Sequence, residues 1–146
     1  MKRLPLLIAS VTLIAGCFSS DWQCGGPPFS TKLAGDYYIH RYSANEVKVS
    51  PRSYGKNTPV IPPVVVALGH DDRFIIAKQN HLRRRSPDNP EDTYMERDPG
   101  VYSYWIIDTS IPRAYGPLTK VEFEEKRKEL LVPEELMMRS AHSYKP

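Results

Sequence analysis

The residues best equipped for chemistry in this chain are a cysteine, a histidine beside two aspartates, and a run of three arginines. Cys17 follows Leu13-Ile14-Ala15-Gly16. Its thiolate would be a nucleophile, and its small neighbours leave the adjacent backbone open to an enzyme. His70-Asp71-Asp72 joins an imidazole to carboxylates, a combination able to hold a metal or exchange protons. The plainer reading of that triplet is a hairpin turn, for which Gly69 and the aspartates are well suited. A small hydrolase centred on His70, Asp71 and Asp72 would need further ligands, and His40, His81 and His142 show no ligand spacing. No Gly-x-Ser-x-Gly elbow or glycine-rich phosphate loop occurs in the sequence. Cys24 lacks a nearby histidine. These features point away from an enzyme and call for no cofactor and no metal.

Two groups could bind without catalysing. Arg83-Arg84-Arg85 could meet lipid headgroups or a polyanionic polymer. With Arg97 counted, however, residues 83–100 carry four positive charges against five negative ones, which reads as a self-neutralising, solvated loop. Tyr102, Tyr104 and Trp105 lie in a strand-forming run. Alternation sends Tyr102, Tyr104 and Ile106 to one face and Trp105 and Ile107 to the other. One row belongs to the core; the other, if uncovered, offers a surface for a protein or a glycan. The candidate binding surface is therefore Tyr102, Tyr104 and Trp105 with Arg83, Arg84 and Arg85.

The N-terminus reads as an address. Met1-Lys2-Arg3 is basic, and Leu4 to Gly16 is nearly free of polar side chains. As a helix those thirteen residues would reach about 20 Å, short of the roughly 30 Å hydrocarbon core. They suit the apolar part of a secretory signal peptide. Leu13-Ile14-Ala15-Gly16-Cys17 resembles the bacterial lipobox. That resemblance implies diacylglycerol transfer to the Cys17 thiol, cleavage before it, and a mature chain anchored to membrane lipid through acyl chains such as palmitate. Several acyl chains hold a protein where one would not. The alternative is an ordinary secretory signal with an incidental cysteine, in which case a Cys17–Cys24 loop becomes possible. Phe18-Ser19 stands where enteric lipoproteins retained at the inner membrane carry aspartate. By that analogy the chain sits in the outer membrane facing the periplasm of a Gram-negative cell, or on the outer face of a Gram-positive plasma membrane.

Composition bounds what remains. A chain of 146 residues with 40% hydrophobic content has room for one core. Fourteen prolines favour short strands over long helices. Two cysteines exclude a disulfide scaffold and a four-cysteine zinc site. The net charge of +3 falls to +1 if Lys2 and Arg3 leave with the signal peptide, which argues against a nucleic-acid partner.

The elements that must position these residues follow from pattern. Residues 17–34, with Gly25-Gly26-Pro27-Pro28, read as a tether. A first hairpin is expected over 37–42 and 46–50, then a proline-rich loop over 51–63. Apolar runs at 64–68 and 74–78 make a second, central hairpin. Residues 83–100 read as an exposed loop, 101–108 as the strongest strand, and 114–116 as its partner. Thr119-Lys120-Val121-Glu122 is a capping box opening one helix. The fold class is α+β: a small antiparallel meandering sheet of about five or six strands with a C-terminal helix packed on it. The boundaries are 1–16 signal peptide, 17–34 lipidated tether, 35–132 globular domain and 133–146 tail or short helix.

Four blocks carry a family resemblance: Gly35-Asp36-Tyr37, Asp72-Arg73-Phe74-Ile75-Ile76-Ala77-Lys78-Gln79, Tyr104-Trp105-Ile106-Ile107-Asp108, and Tyr115-Gly116-Pro117-Leu118-Thr119. Together with the lipobox they resemble a family of small bacterial lipoproteins known only as a domain of unknown function, over roughly residues 35–131. The resemblance implies the lipoprotein character and the sheet-plus-helix layout, and it brings no activity. The expected function is a non-catalytic envelope binding module, its partner an envelope protein or glycan. An alternative is an inhibitor or immunity protein acting on an envelope-active enzyme or toxin; the hydrolase comes third.

Overall fold

The computed structural model describes residues 28–53 and 55–145, so Cys17, Cys24 and the apolar run read as a signal peptide lie outside the described residues. The strands form two antiparallel sheets instead of the single sheet expected. The smaller contains β1 (Phe29–Lys32), β2 (Tyr37–Arg41) and β3 (Val47–Pro51), paired in that order. The larger contains β4 (Val65–His70), β5 (Phe74–Arg84), β6 (Met95–Asp108), β7 (Arg113–Leu118) and β8 (Arg139–Ser140), in the order β7-β6-β5-β4-β8. The smaller sheet meanders, as do β4 to β7 of the larger, while β8 returns to the far edge beside β4. Four prolines between positions 51 and 63 explain the split: each removes a ladder donor, so β3 cannot run on into β4 within one sheet. A single bridge between Val49 and Ile61 links the proline segment to β3.

Three layers result. Ile39, Val49, Ile61, Val65, Leu68, Ile75 and Ile107 are fully buried between the two sheets. On the opposite face of the larger sheet, Phe74, Ile76 and Ile106 meet Phe123, Val132 and Leu136. The two faces share β5 and β6 by strict alternation, which is why those strands read as continuous apolar runs.

Phe123 belongs to α1 (Lys120–Glu129) and is that helix's buried side chain. Thr119 caps the helix as expected: its backbone N–H donates to Glu122 at 2.7 Å, and its hydroxyl accepts from the Glu122 N–H at 3.3 Å. The bond from the Thr119 N–H, foremost, holds the Glu122 carboxyl below its ordinary range.

Four expectations need correction. Phe29–Lys32, inside the stretch read as tether, pairs with β2 as an edge strand, Phe29 facing Arg41 and Lys32 facing Tyr38. Its alternation is only four residues long and follows a glycine-proline run, so the flanking composition masked it. The tail beyond residue 132 is part of the fold: β8 pairs with β4, and Tyr144 is buried with its hydroxyl donating to the Leu68 carbonyl at 3.2 Å. Gly69 is not in the turn but inside β4, where a Cβ would run into the Met137 carbonyl of the returning tail. Lastly, residues 83–100 are not simply a loop, because β5 and β6 continue into them as a hairpin arm.

Candidate functional site

The arm begins where the β5–β6 ladder slips. Asn80 pairs with Tyr102, but the next pair is Leu82 with Arg97, so residues 98–101 bulge from β6. Asn80 is buried and closes that bulge, its amide nitrogen donating to the carbonyls of Asp98 at 2.8 Å and Val101 at 2.9 Å. Beyond the bulge, Leu82, Arg83 and Arg84 pair with Arg97, Glu96 and Met95. The ribbon then turns over residues 85–94, with the Arg85 N–H donating to the Tyr94 carbonyl at 2.9 Å.

Each of the three arginines has an internal partner. Arg83 bonds Glu96 across the ribbon at 2.8 Å and reaches Asp98 at 3.7 Å. Arg84 folds over the tip and donates to the carbonyls of Asn89, Pro90 and Asp92 at 3.3, 3.0 and 3.2 Å. Arg85 pairs with Asp92 at 2.9 Å. Asp92 also accepts from the Ser86 hydroxyl and the Tyr94 N–H. The Ser86 bond, then the Arg85 bond, hold its carboxyl below the ordinary range. At the base, Arg97 donates to the Asn45 side chain at 3.1 Å and to the Ala44 carbonyl at 2.6 Å. The arm is thereby tied to the β2–β3 turn of the other sheet. The near balance of charge that suggested a solvated loop is the signature of this bracing.

What the bracing displays is apolar. Tyr94 is 56% exposed, Met95 41% and Leu82 39%. Leu82 and Met95 share one face by register, and Tyr94 lies on the other, under the Arg85 guanidinium at 4.9 Å. Charge counting over 83–100 passed over these three. The available signal was one large apolar side chain just before the charged stretch and two inside it, where a solvated loop has no use for them.

The remaining predicted residues do not form one surface. Trp105 is buried between the sheets, its indole N–H donating to Gln79 at 2.8 Å. Tyr104 lies on the opposite face against Phe123, ring centroids 5.1 Å apart. Tyr102 is 39% exposed, with the Lys78 ammonium 3.7 Å from its ring centre. Core clusters therefore cover most of both aromatic rows. His70 ends β4, paired with Ile75, and is not in the turn expected for it, whereas Asp71 stands in the β4–β5 turn and accepts from the backbone N–H groups of Arg73 and Phe74 at 2.8 and 2.6 Å. The His70 ring packs 6.2 Å from Tyr144, while Asp72 is exposed. Asp71 thus does the work of a turn residue. Among the described residues, no three His, Cys, Asp or Glu side chains converge to hold a metal. No described helix is long and apolar enough to cross a membrane.

Residues 34–142 match the model of a family described as protein of unknown function (DUF3997), and the chain belongs to that family. No curated protein and no solved structure matches it.

Proposed function

We propose that this family member is a lipid-anchored envelope protein, held by acylated Cys17, whose domain is a non-catalytic module that grips another envelope protein with the β5–β6 arm. One observation carries the reading: Leu82, Tyr94 and Met95 stand exposed on a ribbon that Arg83, Arg84, Arg85 and Arg97 brace. A two-stranded ribbon alone is barely stable, and ordering each residue costs about 1–2 kcal/mol. Bracing of this extent is superfluous for a solvated loop. It suits a contact surface, because an arm ordered beforehand loses less freedom on binding. Tyrosine, methionine and arginine are also the types enriched at interface centres. A polyanionic glycan is a poorer fit, since all three arginines already have partners.

The same arm supports a second reading as an inhibitor or immunity protein. A ribbon two strands wide is narrow enough to enter the cleft of an envelope-active enzyme or toxin.

The anchor and the arm are tested separately. Metabolic labelling with a fatty-acid analogue tags the wild type and not Cys17→Ser; label on the variant refutes the anchor. Affinity capture from envelope extracts with the full chain yields a discrete partner that is lost with Tyr94→Ser/Met95→Ser. Identical capture by both proteins refutes the arm.

A further inference from the structure

The outer face of the smaller sheet carries a row of rings capped by cations. Tyr38 and His40 of β2 and Tyr42 just past its end follow one another, with centroid spacings of 6.0 and 6.2 Å. The Arg52 guanidinium lies 5.1 Å from the Tyr38 ring, and the Lys48 ammonium lies 5.4 Å from that of Tyr42. Lys32 of β1 is the register partner of Tyr38 and is exposed. Tyr42 is 51% exposed. The three strands contain no aspartate or glutamate; Asp36 and Glu46 stand in the turns between them. In a chain with nearly balanced charge, this is a one-signed face.

We infer that this face lies on the anionic headgroup surface of the membrane that holds the lipid anchor. The inference rests on the lipid-anchor reading of Cys17. Three arguments select this occupant. Tyrosine mixed with lysine and arginine is the composition of a bilayer interface, where amphipathic rings sit at headgroup depth and cations meet anionic lipid. A sugar-binding platform would instead need uncovered ring faces, and here Lys48 and Arg52 stand over two of the three rings. Finally, the anchor enters this sheet directly. Cys17 precedes Phe29 by 12 residues, which reach no further than about 40 Å even when fully extended. The smaller sheet would then face the bilayer and the α1 layer would face away from it.

The test uses the anchored full-length protein in vesicles of phosphatidylcholine, with and without phosphatidylglycerol. Amine acetylation read by mass spectrometry reports on Lys32 and Lys48, with exposed Lys120 of α1 as the reference. On phosphatidylglycerol vesicles, labelling of Lys32 and Lys48 falls about fivefold, while Lys120 is unchanged. Added salt reverses the protection, and Lys32→Glu/Arg52→Glu abolishes it at Lys48. Equal labelling on both vesicle types overturns the docking and leaves the anchor standing. A wild-type chain that fails to float with vesicles of either kind overturns both. Protection by a soluble polyanionic glycan, with none from phosphatidylglycerol, also overturns the headgroup assignment.

Discussion

The guanidinium of Arg73 grips the carboxylate of Asp108, with Nη2 donating to Oδ2 at 2.6 Å and Nε lying 3.1 and 3.2 Å from the two oxygens. Asp108 is buried, and the hydroxyl and N–H of Ser110 also donate to it. Arg73 sits in the β4–β5 turn, and its carbonyl accepts from the N–H and hydroxyl of Thr109. The contact fastens the end of β6 to that turn. The arginine is 55% exposed, so the pair buries one charge and leaves the other hydrated. This arrangement avoids much of the desolvation penalty of a fully buried pair.

Stability should therefore depend on acid in a defined window. The Arg73 bond, helped by Ser110, holds the Asp108 carboxyl down to about 2. A carboxyl with a lowered folded pKa stabilises the fold above its unfolded value, and the gain disappears as pH falls through the folded value. Urea titrations should show about 2 kcal/mol lost between roughly pH 4 and pH 2. Asp108→Asn should lose a similar amount at pH 7 and show a flatter profile across that window. A variant as acid-sensitive as the wild type would assign the effect to other carboxyls.

The arm should loosen without the domain unfolding. Arg84→Ala removes the donor that three tip carbonyls share. Hydrogen exchange at residues 85–94 should speed up by about tenfold, while global stability shifts by less than about 1 kcal/mol. Unchanged exchange would mean that the tip is held by Asp92 and its partners alone.

Gly69→Ala tests the tail. A methyl there meets the Met137 backbone, so β8 must move off β4 and Tyr144 must give up Leu68. A loss of about 2–4 kcal/mol is expected, together with protease cleavage within residues 133–145. Wild-type stability would show that the tail is not held against β4.

How much of this was legible depended on the distance over which each signal acts. The helix start was, because Thr119 and Glu122 satisfy each other three residues apart. So was the opposed facing of Trp105 and Tyr104, which follows from alternation alone. The blocks around Arg73–Lys78 and Tyr104–Asp108 read as apolar strands, and they pair directly, Phe74 with Asp108 and Ile76 with Ile106. The arm was hidden because Arg83 answers Glu96 thirteen residues away, and a charge count reports balance without geometry. The tail was hidden because Tyr144 answers a carbonyl 76 residues earlier. β1 was obscured because its pairing competes, in any local reading, with the glycines and prolines just before it.

The central claim is that the arm is a contact surface, and site-specific photo-crosslinking in intact envelopes tests it most directly. A photoreactive residue replaces Tyr94 in one anchored chain and exposed Val121 of α1 in another. The account predicts a discrete adduct from position 94 that weakens when Arg84→Ala loosens the arm, and none from position 121. Equal or absent adducts at the two positions would contradict it.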